Sequence, residues 1–333
     1  MQRNSKLGAV FCAALAIPLL SCGGGSRHDV EEAYYLVTTN KSIPYWQSAA
    51  AGLTDAATKL GVKFELVATD AYDPNGEKTE FKKLLSRPVK PTGILVSPAD
   101  PEGMAPLIDE AVAQGIPVVT IDTDAPASKR LLFIGTNNYE AGRMGGEVVA
   151  KALNGKGNVV VFTMPGQVNL RERLNGYEQV FRANPGIKIV EVVDMKGDPR
   201  ITFDRTKEIL DSGTPAVDAF VCLEAQSCPE VADVVSRHTA KNKLIVGMDT
   251  DPRTLDWIRK GVIAATIAQK PYTMAYFGTQ VLDSLYHNKL EALQADFKQD
   301  ARAPLPSLVD TGATLVDKSN VDSFRAGETQ KAN

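Results

Sequence analysis

The sequence is poor in the residues that carry covalent and metal chemistry. It has three histidines and four cysteines among 333 residues, and none sits in an HExxH, a paired-cysteine metal motif, a Walker loop or a GxSxG elbow. His28 lies in the linker after the leader, His238 at a helix ending and His287 inside another helix. Without a nucleophile and base in register, an enzyme is not expected, and neither a cofactor nor a metal is called for. The "GGGS" at residues 23–26 follows no strand, so it reads as a flexible tether and not as a phosphate loop. A basic surplus is missing too. The 37 Lys and Arg stand against 40 Asp and Glu, for a net charge of −3 and a pI near 5.8. That balance cannot neutralise a row of phosphates, which argues against a nucleic-acid partner.

Long apolar runs are also scarce, and the one present is at the N-terminus. Arg3 and Lys6 precede the stretch Leu7 to Leu20, which is followed by "LLSC" and the glycine tether. This is the order of a bacterial secretory signal ending at a lipidation cysteine. The run is too short to cross comfortably a hydrocarbon layer of about 30 Å, and no second candidate follows. The expectation is a signal peptide over 1–21, acylation of Cys22, a lipidated tether over 22–28 and a place in the periplasm or cell envelope, held to the membrane by lipid. Cys12 then leaves with the leader, so Cys222 and Cys228 remain. They close the short loop "CLEAQSC" as one disulfide or stay as two buried thiols.

What fills the rest of the chain is a repeat. The first half reads strand "AYYLVTT", helix "YWQSAAAGLTDAATKLG", strand "VKFELVATD", Asp73-Pro74, helix "EKTEFKKLLS", strand "TGILVSP", helix "APLIDEAVAQG" and strand "IPVVTID". The second half repeats this order from "NVVVFTM" through Asp198-Pro199 to "LIVGMD". Gly52 to Asp70 and Gly176 to Asp194 span the same 18 positions, and Asp122 and Asp249 close the two units. Short Val/Ile/Leu runs bounded by Gly, Pro and Asp, alternating with amphipathic segments, predict parallel strands with crossover helices. The expected fold is α/β, with two similar doubly wound parallel-sheet lobes.

Ligands in such sheets bind beyond the carboxyl ends of the strands. That rule selects Thr38 to Lys41, Ser97 and Asp122 in the first unit, and Met164 to Asn169, Glu224 and Asp249 in the second. Tyr45 and Trp46 open the first helix, where flat rings suit sugar C–H faces or staple the helix entry. Arg171 and Arg173 open the matching helix; we read Arg171 as the ligand contact, through its fixed two-oxygen fork, and Arg173 as packing. Asp122 and Asp249 end equivalent strands as acceptors for hydroxyls, although Asp249 also suits a helix N-cap before "PRTLDWIRKG". Gln269, an amide in the apolar run "KGVIAATIAQKP", needs a partner, from the backbone or from a ligand.

These residues lie in segments with a specific resemblance. "NKSIPYWQSAAAGLTDAATKLG", "GIPVVTIDTDAP", "IGTNNYEAG", "RERLNGYEQVF", "LIVGMDTDP" and "GVIAATIAQKP" together resemble the ribose-binding family among the periplasmic substrate-binding proteins of ABC sugar importers, over about residues 33 to 317. The resemblance implies two lobes joined by a three-strand hinge: 29–134 plus 270–298, then 135–269 plus 299–317, with a tail over 318–333. It implies a monomer that captures a sugar or polyol and hands it to an ABC permease, or alternatively to a sensor kinase or chemoreceptor. Carried over by position, the sugar contacts are Tyr45, Trp46, Asp122, Arg171, Asp249 and Gln269, the last as a hinge-side amide donating to ligand. Glu224 joins them where the family has a neutral asparagine. Ile43, Thr123 and Asp198 are further departures, which direct the expectation to a sugar or polyol in general. Lys41 and Asp122-Thr123-Asp124 resemble a feature of autoinducer-sugar binders; a solvated loop charge is the other reading of Lys41. A DNA-binding repressor sharing this core would need an N-terminal helix-turn-helix, and a leader stands there instead.

Overall fold

The computed structural model describes residues 28–238, 242–289 and 303–324. The leader, Cys22 and most of the tether lie outside the described residues, as do 290–302 and 325–333. Among the described residues no helix is long and apolar enough to cross a membrane.

The first sheet is built from β1 (Ala33–Thr38), β2 (Lys63–Ala68), β3 (Gly93–Val96), β4 (Val118–Ile121) and β5 (Leu132–Gly135), with α1 (Pro44–Leu60), α2 (Pro74–Leu85) and α3 (Pro101–Ala113) as crossovers. The chain then enters the second lobe through α4 (Asn138–Ala152), followed by β6 (Lys156–Thr163), α5 (Val168–Ala183), β7 (Gly186–Asp194), α6 (Pro199–Ser212), β8 (Ala219–Cys222), α7 (Ser227–Arg237), β9 (Leu244–Met248), α8 (Pro252–Arg259) and β10 (Ala265–Ala268). It returns to the first lobe with α9 (Pro271–His287) and β11 (Leu308–Asp310), and ends on β12 (Thr314–Asp317) in the second. Strand orders are β11-β5-β4-β3-β1-β2 and β12-β10-β9-β8-β6-β7, the same winding twice. Strands β3, β4 and β8 are buried throughout because helices cover both sheet faces.

The Asp-Pro pairs that marked the repeat act as helix starts. Asp73 accepts from the amides of Asn75 and Gly76, Asp198 from Arg200, and each following proline takes the first helical position, where its missing N–H is harmless. The matched glycines also have a structural role. A Cβ on Gly52 would stand 2.2 Å from the Tyr272 carbonyl oxygen of α9, and one on Gly176 would stand 2.2 Å from the Tyr139 carbonyl oxygen of α4. Each lobe therefore seats one helix against the helix that arrives at its crossing.

The last crossing requires a correction. The division at 298/299 falls outside the described residues, but Leu308–Asp310 pairs in parallel with β5 of the first sheet, whereas Thr314–Asp317 pairs antiparallel with β10. The chain thus changes lobes at 311–313, because the open edge of β5 takes up one more strand first. The other two crossings fall at 136–137 and 269–270. Cys222 and Cys228 are both buried free thiols in the second lobe's core, so the disulfide alternative is not the one adopted.

Candidate functional site

A cleft between the lobes, with about 590 Å³ of free space including its mouth, is lined from one side by Asn40, Tyr45, Trp46, Tyr72, Ser97, Asp122 and Thr123, and from the other by Gln167, Asn169, Arg173, Glu224, Gln226, Asp249 and Gln269. Gln167 Nε2 bridges the lobes by donating to the Tyr72 hydroxyl at 3.1 Å.

Asp122 and Asp249 occupy equivalent strand ends in left-handed backbone, with φ of 62° and 67°, and Asn40 at the end of β1 has φ 54°. Asp and Asn tolerate this region better than other side chains with a Cβ, and such strain concentrates at ligand sites. The register repeats: the Asp122 amide donates to the Ile134 carbonyl on β5, and the Asp249 amide to Ile267 on β10. The N-cap reading of Asp249 is not taken up, since Asp251 caps α8 by accepting from the Arg253 amide at 2.8 Å.

The carboxylates differ in their partners. Asp122 accepts from the Tyr45 hydroxyl at 2.6 Å, Ser97 at 3.1 Å and Thr123 at 3.3 Å. Asp249 accepts a side-chain bond from Gln269 Nε2 at 3.0 Å. Burial pushes its pKa up to about 7, against the pull of Arg173 and the Gln269 amide, while Asp122 and Glu224 add to the rise. Glu224 accepts from the amides of Gln226 and Ser227, both at 2.7 Å, at the start of α7; burial still raises it above the usual carboxylate range. The Tyr45 phenol is likewise raised, first by burial and then by Asp122.

The two arginines are placed the other way round from the expectation. Arg171 is exposed, outside the cleft lining, and donates to the carbonyls of Pro165 and Gly166. Arg173, one turn-half further along α5, is 2% exposed and lines the cleft; Nε donates to Asn138 Oδ1 at 2.8 Å and Nη1 to the Leu223 carbonyl at 2.7 Å. Its Nη2 is buried with no partner among the described residues, as is Gln269 Oε1. Gln269 thus offers its Oε1 as an acceptor, while one N–H of its amide nitrogen is given to Asp249 and the second remains.

Tyr45 and Trp46 meet edge to face at 5.1 Å, and Trp46 is buried in the apolar cluster under the cleft floor, so it both packs and lines. Lys41 pairs with Asp70 on the surface, and Asp124 turns away to bind Arg130. Asp198 is committed to its cap and to Arg200. Tyr72 and Gln226 were missed. Tyr72 lies four residues past the end of β2 and Gln226 four past the end of β8, so the strand-end rule carried further along each loop would have reached both.

Comparison with known proteins agrees with this geometry. The chain is 27% identical over 254 residues to the ribose import binding protein of Bacillus subtilis (strain 168), covering 74% of this chain and 79% of that protein. The arabinose-binding protein AraP of Geobacillus stearothermophilus has a similar structure, with TM-score 0.72 and 35% identity over 89% of this chain and 99% of its own. An ABC-transporter solute-binding protein of Burkholderia graminis, solved in complex with D-arabinose, gives TM-score 0.79 at 28% identity over 89% and 98%. The family profile of the periplasmic binding protein domain matches residues 34–289, and the chain belongs to that family.

Proposed function

We propose that this protein is an extracytoplasmic, lipid-anchored receptor that captures a sugar or polyol between its lobes and delivers it, as a monomer, to an ABC permease. The observation that carries the reading is the pair of symmetry-related aspartates in left-handed backbone, Asp122 and Asp249, facing one cleft with the Tyr45 and Trp46 rings. Carboxylates accept two hydroxyls each and aromatic faces cover C–H surfaces, which together is the chemistry of a neutral polyhydroxylated ligand. Arg173 Nη2 and Gln269 Oε1 supply one further donor and one acceptor, and both are buried at a cost that a ligand would relieve. Support also comes from the relatives named for ribose and arabinose and from the bound D-arabinose of a similar structure. No bond is made or broken in this function. Ligand that bridges both lobes favours the closed state by its differential affinity.

Thermal-shift and calorimetric screening of the chain against pentoses, hexoses, pentitols and sugar acids tests the reading. A neutral sugar or polyol at 100 times its dissociation constant is expected to add about 2.7 kcal/mol of stability. Tight binding confined to anionic sugar acids would overturn it, because a fourth carboxyl group would enter a cleft already holding Asp122, Glu224 and Asp249.

A further inference from the structure

Two of the three histidines meet far from the cleft. His28 and Glu32 lie just before β1, Asp283 and His287 in the last turns of α9, and one donor atom from each falls within 4.8 Å of all the others. The His28 Nδ1 atom is 2.9 Å from Glu32 Oε2 and 3.4 Å from Asp283 Oδ1. The His287 Nε2 atom is 3.1 Å and 3.5 Å from the same two oxygens. The two ring nitrogens are 3.2 Å apart. Bonds of about 2.0–2.2 Å from zinc to nitrogen or oxygen, meeting at tetrahedral angles, hold neighbouring donors about 3.3–3.6 Å apart. Five of the six edges of this tetrahedron are therefore within a few tenths of an ångström of the separation zinc requires.

The surroundings fit a metal as well. Glu32 is 4% and Asp283 5% exposed. Two buried carboxylates carry the charge that one dication cancels, and imidazole with carboxylate is a donor set that suits zinc. An outer layer orients the acids: the Asp29 amide donates to Glu32 Oε1 at 2.7 Å, which leaves Oε2 to face the histidines, and the Tyr34 hydroxyl donates to Asp283 at 3.3 Å. We propose that His28, Glu32, Asp283 and His287 form a tetrahedral zinc site that pins the point where the N-terminal tether enters the first lobe onto the end of α9. The site is independent of the cleft. It would transmit any pull on the tether to a helix packed on α1, not to the frayable start of β1.

The experiment uses the full chain in detergent, stripped with chelator and titrated with Zn²⁺ alone, with Co²⁺ as a spectroscopic substitute. The expected result is one Zn²⁺ per chain, a higher melting temperature and an intense four-coordinate visible spectrum for Co²⁺. His28→Gln and His287→Gln are each expected to weaken Zn²⁺ binding at least ~10-fold, with a circular dichroism spectrum like that of the unsubstituted chain. A pale six-coordinate Co²⁺ spectrum, no Zn²⁺ uptake at micromolar concentration, or uptake unchanged in both variants would overturn the assignment and leave a hydrogen-bonded histidine–carboxylate cluster. Should either variant fail to fold, the Co²⁺ spectrum of the unsubstituted chain decides alone.

Discussion

The two lobes share a strand order, matched glycines, Asp-Pro helix starts and an aspartate in left-handed backbone at the same strand end, yet their cleft faces are in different states. In the first lobe Asp122 is held by three hydroxyls. In the second, among the described residues, Asp249 has a single side-chain partner, and that lobe also contributes Arg173 Nη2 and Gln269 Oε1, for which no partner is found there. A carboxylate held by three hydroxyls of its own lobe is a rigid platform, set in place before a ligand arrives and still with acceptor capacity to spare. One buried with few partners has a polar demand that a ligand can meet, and unmet hydrogen bonding in a buried place is expensive. The repeated scaffold thus fixes where each wall stands, while the substitutions on it make one wall preorganised and the other receptive.

The largest test of that asymmetry is Arg173. Arg173→Met removes a buried cation facing Asp249 and Glu224 and strands Asn138 and the Leu223 carbonyl, at a cost of about 3–5 kcal/mol in stability and an affinity loss beyond the range of calorimetry. Arg171→Met, on the exposed face, is expected to change neither by more than about 0.5 kcal/mol. Equal effects of the two would break the assignment.

The scaffold, by contrast, is expected to respond alike in both lobes. Gly52→Ala and Gly176→Ala each force a Cβ to 2.2 Å from a backbone oxygen, and chemical denaturation is expected to report about 1–3 kcal/mol of destabilisation for each. A tolerated alanine in one lobe only would show that the helix pairs are not equivalent.

Next come the cleft acids. Asp122→Asn disturbs bonds within the apo protein, so its melting temperature is expected to fall. Asp249→Asn is expected to leave apo stability level or higher while affinity falls by about 1–3 kcal/mol. Gln269→Leu sharpens this further: affinity drops by a similar or smaller amount, and the loss of its amide raises the Asp249 pKa further, which moves the midpoint of the binding pH profile upward. An apo protein destabilised with unchanged affinity would remove Gln269 from the ligand set.

The last test is of pH. Asp249 sits at about 7 in the folded chain against an ordinary 3.8, so between those values the folded state binds more protons than the unfolded. Stability from this group therefore declines as pH rises from about 4 to about 7 and is level above. Ligand hydroxyls need the ionised acceptor, so affinity is expected to move the opposite way and weaken as pH falls through 7. Calorimetric titrations at pH 5.5 and 8 check this, and Asp249→Asn is expected to flatten both trends.

Local chemistry made the architecture legible. Val/Ile/Leu runs between turn residues, Asp-Pro helix starts and a repeat in register are set by nearest neighbours along the chain, so the parallel strands, most crossover helices, the two-lobe plan and the strand-end aspartates could be read from the residues alone. The elements that carry the crossings, β5, α4, β11 and β12, were not, because their strands are short and their pairing depends on an edge built far away in sequence. Tertiary structure also chose between Arg171 and Arg173, two positions apart on one helix. A shift of two residues turns a side chain about 200° around the axis, and only the position of β8 and α4 decides which direction is inside. It joined His28 to His287 as well, across a separation of 259 residues, which no spacing motif encodes. Sequence fixes what each segment prefers locally; which polar groups face one another is decided by which segments the fold brings within hydrogen-bond distance.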